Sequence, residues 1–428
     1  NTLVFGIKPN LLRINRILDL LGSPHKKIEF IHVVGTNGKT STAKITSAIL
    51  NSHNSNAGYY ISPHINSYTE RISIRGSDIS QNDFTVVFEE IFPFIEKVNE
   101  VNLNGEMTQF EILTAMMFQS AYKEKLDLMV LEAGMGGRWD ATNAACARVA
   151  GLTGVSLEHT AILGKTIEAI TREKVEVIKS GCMAATSSTD PIVLKILEEK
   201  TKEAGAHLYK SGRDFMVKSL NKDGIDGFGA DIKGIYDTYE NIIFPLLGDY
   251  QKSNLSLAAA LSELFLGNKL DAQKINKGLT HTNISGRFQL IKTSPVFIVD
   301  ASHNPEGIRN LAANLDYYFK SSRKIIIFSV LKDKDYIEMI KTVLPVSDII
   351  ILTSSYSERS LDIALLEEEV SRQLQKIKKE GRKVPKFIYR IDNIENSIKY
   401  SLNIALKNDI ICMTGSITNL EFVKSEYF

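Results

Sequence analysis

Lys39 stands between a glycine and a hydroxyl residue in the run Gly35-Thr36-Asn37-Gly38-Lys39-Thr40-Ser41. An ammonium set in flexible backbone suits a polyphosphate. The glycines let backbone N–H groups turn inward, and a helix starting here adds partial positive charge. Lys39 can reach the terminal phosphates and the Thr40 hydroxyl can face Mg²⁺. The flanks agree: Phe30–Val34 reads as a buried strand and Lys39–Leu50 as a helix. The spacing is shorter than the usual P-loop, whose first glycine would fall on Val33. The expectation is a nucleoside triphosphate site.

Three other groups could join it. Leu128–Ala133 reads as a second buried strand, with Glu132 near its C-terminal end, the edge where parallel sheets bind ligands. A carboxylate there offers Mg²⁺ a hard oxygen; the plainer reading is a cap for the turn that follows. Gly134, Gly136 and Gly137 do not complete a dinucleotide fingerprint, because Trp139 takes the place of the last glycine. Glu158-His159 is open between a functional pair and a structural one. Lys174, within the charged helix-like run Ile167–Lys179, reads by itself as part of a solvated face. Asp300-Ala301-Ser302-His303-Asn304-Pro305 closes a strand and can orient a polar substrate; it also reads as an Asn-Pro turn with Ser302 or Asn304 capping a helix. A Ser-His-Asp hydrolase is disfavoured, since no G-x-S-x-G elbow is present.

The elements that must hold these residues fall into two styles. Up to Ser285-Gly286-Arg287, strand-like runs are separated by the helical candidates Phe84–Asn99, Phe110–Lys123 and Ser253–Leu266, and Asn221–Asn241 reads as hairpins and turns around Gly224, Gly227, Gly229 and Gly234. Beyond it the alternation is regular. Strands are expected at Phe297–Asp300, Lys324–Val330, Asp348–Thr353, Lys386–Ile391 and Asp409–Thr414. Helices are expected at Glu306–Phe319, Tyr336–Val343, Leu361–Lys379 and Ile394–Leu406. Such alternation implies βαβ units. The fold class is α/β with two domains: residues 1–285, a P-loop ATPase domain with a parallel-rich sheet, and residues 286–428, a Rossmann-like domain. Two such domains in series suggest a ligand in the cleft between them.

Composition narrows the partners. With 51 Lys+Arg against 50 Asp+Glu, the 428-residue chain gives no electrostatic argument for nucleic acid or an anionic membrane. Hydrophobic residues make up 43%, enough for large cores. Cys146, Cys182 and Cys412 show neither metal nor disulfide spacing, and each is expected to be a buried thiol in a reducing compartment. No stretch is apolar enough to span a bilayer and no signal-peptide pattern opens the chain, so a cytoplasmic location is expected.

Taken in order, these pieces resemble the folylpolyglutamate synthase and dihydrofolate synthase family, a branch of the Mur-ligase-like ATP-dependent amide ligases. The resemblance runs nearly end to end: Lys8-Pro9-Asn10 through Gly22-Ser23-Pro24, the loop Gly35–Ser41, Tyr60-Ile61-Ser62-Pro63-His64, Glu70-Arg71-Ile72, Thr108-Gln109-Phe110-Glu111, Leu131–Arg138 and Asp140–Asn143. It continues through Leu163-Gly164, Thr166-Ile167-Glu168, Glu173-Lys174, Gly248–Gln251 with Asn254, Gly286-Arg287, Asp300–Pro305, Asp333–Asp335 and Thr414–Ser416. Each motif alone is weak; their fixed order is specific.

The resemblance implies ATP and Mg²⁺ as cofactors, with a potassium ion as a further candidate. It implies that Gly35 to Ser41, with Lys39, hold the triphosphate, and that Thr40, Ser62, Glu132 and His159 surround Mg²⁺. Lys174 matches the lysine that the family carbamylates. Gln251 and Asn254 would lie near the nucleotide and Arg287 would reach its phosphates, while Asp300, His303 and Ser416 would bind the incoming glutamate and the ribose. The implied reaction joins L-glutamate to a folate through an acyl phosphate. Dihydropteroate is the alternative acceptor, alone or in a bifunctional enzyme, and a monomer is implied by analogy. Four departures mark the chain: Thr40 for the usual glycine, Glu158 for aspartate, Val175-Glu176 for Ala-Gly, and Ala301-Ser302 for Gly-Ala. Thr40 favours a cell-wall Mur ligase, against the Ser62–His64 and Asp300–Pro305 blocks. A nucleotide-binding regulator would have no use for Lys174, His159 and His303.

Overall fold

The computed structural model describes the whole chain except residues 1–9, 222–224, 226, 281, 283, 425, 426 and 428. Lys8, Pro9 and Gly224 of the sequence reading lie outside the described residues. The chain folds into two compact units. The first takes Asn1–Lys222, Phe228–Pro245 and Gln251–Thr282; the second takes Asp223–Gly227, Leu246–Tyr250 and Asn283–Phe428.

The first unit is built on strands β1 (Glu29–Val34), β2 (Ala57–Tyr60), β3 (Ile72–Ile74), β4 (Ser77–Asp78), β5 (Leu128–Glu132), β6 (Val149–Leu152), β7 (Met183–Thr186) and β8 (His207–Lys210). They form one sheet in the order β4-β3-β2-β5-β1-β6-β7-β8. All pairings from β2 to β8 are parallel, and β3 and β4 add an antiparallel edge. Strand β1 lies at the centre and is almost wholly buried, as expected of a Val/Ile/Phe run covered on both faces.

Helix Lys39–Ser52 leaves β1 through the glycine turn, with Gly38 in the left-handed conformation as its N-cap. It packs against helix Gln251–Leu266, buried almost all round. Gly151 of β6 lets that helix close on the sheet: a Cβ there would stand 2.8 Å from a methyl of Leu261. Strands β9 (Met216–Asn221), β10 (Phe228–Lys233) and β11 (Thr238–Phe244) make a separate antiparallel sheet where hairpins were expected. It is pinned by the buried Glu263, whose carboxylate accepts from the Ile235 and Tyr236 N–H groups at 2.7 and 3.0 Å and from the Tyr239 hydroxyl at 2.6 Å.

The second unit carries β12 (Gln289–Thr293), β13 (Val296–Val299), β14 (Lys324–Phe328), β15 (Ile349–Leu352), β16 (Phe387–Arg390) and β17 (Ile410–Thr414). Their order is β12-β13-β17-β14-β15-β16, parallel except for β12. Helices Pro305–Tyr318, Tyr336–Val346, Ile363–Lys379 and Ile394–Ile404 connect them, so the expected alternation is observed with ends shifted by a few residues. Strand β17 enters between β13 and β14, making a topological switch point there. Of the three cysteines, Cys182 and Cys412 are buried as expected, but Cys146 is exposed, because it lies in the surface link between the turn Ala141–Ala144 and β6.

Candidate active site

Strand order brings the candidate residues of the first unit together. Val33 of β1 pairs with Glu132 of β5, and Val34 pairs with Leu152 of β6. The Gly35–Lys39 turn therefore emerges between the ends of β5 and β6. Strand β2 runs beside β5 with Tyr60 opposite Leu131, which delivers Ser62 to the same edge.

Thr40 Oγ1 donates to Glu132 Oε2 at 2.8 Å, and the Ser62 N–H donates to the same oxygen at 3.3 Å. Glu132 is only 2% exposed. The departure at Thr40 thus adds a hydroxyl that addresses the carboxylate. Lys39 Nζ donates to the Thr36 carbonyl at 3.0 Å, folded back over its own loop. The loop is braced from β6, where Thr153 Oγ1 donates to the Asn37 carbonyl at 2.6 Å and the Thr36 N–H donates to the Gly154 carbonyl at 2.7 Å. Thr36 also exchanges hydrogen bonds with Ser156. Gly35 and Gly38 have positive φ, and a Cβ on either would strike Thr153 Oγ1 or Asn254 Oδ1. Asn254 Nδ2 donates to Gln251 Oε1 at 2.8 Å, while the buried Gln251 Nε2 has no partner among the described residues. Ser41 Oγ is likewise buried without a partner.

Lys174 overturns the solvated-face reading. Its side chain is buried and Nζ donates to the Gly35 carbonyl at 2.6 Å. Burial, reinforced by the positive charge of Lys39, lowers its pKa to about 7, against smaller opposing effects of Glu158 and Asp140. The glycine-rich stretch after β5 seats the end of its helix. The Arg138 N–H donates to the Glu173 carbonyl at 2.9 Å, and a Cβ on Gly137 would lie 2.6 Å from the Lys174 carbonyl. The Arg138 guanidinium meets Glu173 at 3.3 Å and Glu176 at 3.2 Å, and Glu176 also holds Lys200 at 3.0 Å. The departure at Glu176 is therefore half of a second clamp on this helix end. His159 is exposed, has φ 52°, and precedes the short helix Thr160–Leu163.

Sequence reasoning passed over a chain behind β1. His32 Nε2 lies 2.9 Å from Thr142 Oγ1, which donates to Asp140 Oδ1, and Asp140 Oδ2 accepts from the Met135 N–H at 2.8 Å. Burial, then the charge of Lys179, lowers the His32 pKa to about 3, so the imidazole is neutral. A polar residue at the centre of an apolar strand was the available signal.

In the second unit, Asp300 follows β13 and uses both oxygens on backbone: Oδ2 accepts from the Phe288 N–H at 2.8 Å and Oδ1 from the Ser302 N–H at 2.9 Å. This fixes the turn that carries Arg287. His303 Nδ1 contacts the Ala301 carbonyl at 2.8 Å. Asn304 caps helix Pro305–Tyr318 through the Gly307 N–H. The end of β17 stands beside this turn, since the Gly415 N–H donates to the Ser302 carbonyl at 3.1 Å, and Ser416 Oγ accepts from the Thr418 N–H at 3.3 Å.

Among the described residues, no group of three or more His, Cys, Asp or Glu is placed to hold a metal ion. The Thr40–Glu132 pair still fits Mg²⁺, which takes one or two protein oxygens and fills its shell with phosphate and water.

Residues 33–262 match the Mur ligase middle domain, and residues 286–417 match the Mur ligase glutamate ligase domain. The dihydrofolate synthase/folylpolyglutamate synthase of Mycobacterium tuberculosis is 34% identical over 84% of this chain and 77% of its own length. That of Bacillus subtilis is 34% identical over 79% of each. A crystal structure of the M. tuberculosis folylpolyglutamate synthase, complexed with ADP and AMPPCP, superposes with a TM-score of 0.91 at 31% identity, over 98% of this chain and 95% of that one. Escherichia coli FolC in complex with DHPP and ADP gives 0.85 at 26% identity, over 99% and 94%. A P-loop braced between β5 and β6, a buried lysine at its back and a glutamate ligase domain downstream are thus found together in a chain that belongs to the folylpolyglutamate synthase and dihydrofolate synthase family of Mur-type ATP-dependent ligases.

Proposed function

We propose that this protein joins L-glutamate to a folate at the expense of ATP, with dihydropteroate as the second acceptor. The observation that carries the reading is the Thr40–Glu132 contact at the mouth of the Gly35–Lys39 loop. A hydroxyl and a buried carboxylate at the end of a glycine-rich loop suit the terminal phosphates of ATP and their cation.

A carboxylate is a poor electrophile, so the acceptor's carboxyl group takes the γ-phosphoryl group and becomes an acyl phosphate. The glutamate amine then attacks, and phosphate leaves from the tetrahedral intermediate. Lys39 balances charge on the transferred group, and the loop N–H groups orient it. Thr40 and Glu132, with Ser62 and His159, would hold Mg²⁺. When bound, the ion neutralises charge between the phosphates; a potassium ion is the second cation of this reading. Lys174, with its pKa near 7, keeps a large fraction of neutral amine at physiological pH. A neutral amine is the form that adds CO₂, so carbamylation is chemically accessible to it. Gln251, Asn254 and Arg287 serve the nucleotide. Asp300, His303 and Ser416 take the ribose and the incoming glutamate.

On this reading residues 1–285 are the ATP-binding domain and 286–428 the glutamate-ligase domain of a cytoplasmic monomer. No helix among the described residues is long and apolar enough to cross a membrane.

The test is phosphate release with ATP and Mg²⁺ in the presence of tetrahydrofolate, dihydropteroate or a UDP-linked muropeptide, each with and without glutamate. Glutamate-dependent release with a folate supports the first reading, and release with dihydropteroate alone the second. Turnover confined to the muropeptide sinks both.

A further inference from the structure

The second unit has a cleft of about 440 Å³ that the ligase reading leaves unused. It opens at the N-terminal edge of the sheet, where β14, β15 and β16 begin. Asp300 and Ser416 follow the C-terminal ends of β13 and β17, so they stand at the opposite edge. Strands of this length separate the two edges by about 15 Å.

The lining is strongly one-sided in charge. Lys320, Arg323, Lys324, Lys383 and Lys386 face a single lining carboxylate, Asp348. Asp348 pairs with Lys383 at 2.9 Å. Two carboxylates reach in from outside: Asp409 takes the Arg323 guanidinium, and Asp316 lies 3.5 Å from Lys324. Three of the five cations are thereby matched, and Lys320 and Lys386 hold no ion pair among the described residues. The full chain carries a net charge of only +1, so this excess is local. The Lys324 side chain is 4% exposed, which sets one positive charge in the desolvated floor. A concave wall of low dielectric focuses such a field on whatever enters. The Arg323 fork is spent on Asp409, leaving lysine heads, which select charge more than shape.

We propose that this cleft binds a small oligoanion whose charged groups bridge Lys320 and Lys386. The two lysines lie on different loops, one after helix Pro305–Tyr318 and one before β16, so a single ligand ties both loops together. Phosphate chains and short γ-linked glutamate chains share the required chemistry. The charge of the cleft stands apart from the ligase reading, and only the choice of a γ-linked chain as one probe rests on it.

The experiment is residue-resolved lysine acetylation, read by mass spectrometry on the full chain, with tripolyphosphate in one arm and tri-γ-glutamate in the other. Acetylation of Lys320 and Lys386 should slow by about threefold or more at low ionic strength, where exposed charges are least screened. The exposed Lys125 of the first unit should be unaffected. The arm that protects identifies the source. Lys320→Glu should abolish protection of Lys386 while leaving ATP turnover unchanged. No protection in either arm, protection matched at Lys125, or full protection of Lys386 in Lys320→Glu would each overturn the proposal.

Discussion

Lys174 donates to the carbonyl of Gly35 at 2.6 Å across 139 positions of sequence. That bond ties the glycine-rich loop after β1 to the end of helix Ile167–Lys174. It also places an amine of lowered pKa directly behind the Gly35–Lys39 turn, with Lys39 as the like charge beside it.

Stability should follow the protonation of this amine. The Lys174 pKa falls from 10.5 to about 7 on burial, so the unfolded chain holds more protons between these values. The cost of burying the lysine is then full below about pH 7, declines as pH rises and vanishes above 10.5. Lys174→Met removes it. The melting temperature, measured without bicarbonate, should rise more at pH 6.5 than at pH 10.5, by roughly 2–4 °C for each kcal/mol relieved in a unit of this size. An equal gain at both pH values would show that charge burial is not the source.

Catalysis should depend on the same residue in another way. Lys174→Ala is expected to lower ATP turnover by about a hundredfold or more, the scale seen when one preorganised polar group is removed. Formate or acetate should restore part of the rate if an anionic carbamate is the working form. The wild-type protein should lose rate in CO₂-free buffer and regain it with bicarbonate. Absence of rescue and of CO₂ dependence together would reduce Lys174 to a structural post.

The Thr40–Glu132 pair separates hydroxyl from bulk. Thr40→Ser keeps the 2.8 Å donor and should retain most activity. Thr40→Ala should raise the Mg²⁺ concentration needed for half-maximal turnover by about tenfold, the effect of roughly 1.4 kcal/mol. Glu132→Gln should be worse, because it removes the charge as well. A titration of Mg²⁺ against initial rate reads all three, and identical curves would remove the pair from the metal site.

Much of this site was legible because its chemistry is local. The loop Gly35–Ser41 declares itself by composition and by the strand and helix beside it. In the second unit β13 to β17 were legible because each lies between periodic helices or beside one. Strand β12, Gln289–Thr293, went unread because its mixed polar sequence is only partly buried at the antiparallel edge. Lys174 was not legible, since its burial is imposed by Gly137 and Arg138, some 37 residues away. Strands β6 to β8 went unread because each has four residues and little aliphatic bulk. Some motif residues shape the site without entering it. Glu70 accepts from the Ile65, Asn66 and Ser67 N–H groups, and Arg71 Nε donates to His64 Nδ1, so this motif shapes the loop after Ser62.

Gly38 is confined by both backbone and space. Its φ is +88°, and a Cβ would sit 2.4 Å from Asn254 Oδ1. Gly38→Ala should weaken ADP binding by about tenfold or more, since a left-handed non-glycine residue alone costs roughly 1–2 kcal/mol. Asn254→Gly in the same chain relieves the contact but leaves the dihedral cost and removes a side chain assigned to the nucleotide, so calorimetric titration should show partial recovery at most. Full recovery would assign the whole defect to crowding.

Arg13 and Glu111 form a buried pair whose loss should be structural. Their side chains are 3% and 7% exposed, with Arg13 Nη2 3.0 Å from Glu111 Oε1. The Arg13 Nε–H is shared by both Glu111 oxygens, and Nη1 donates to the Leu103 and Asn104 carbonyls. Glu111 also accepts from the Thr108 N–H at 2.8 Å, closing the capping box of helix Gln109–Lys123. Removing either partner strands the other charge in the core, which costs about 3–5 kcal/mol. Arg13→Met and Glu111→Leu should each show that loss in urea unfolding. The double variant should lose much less than their sum, because no charge is left unpaired. ADP affinity in the folded protein should not change. Strict additivity would mean that each side chain is held by its backbone partners and that the ion pair contributes nothing.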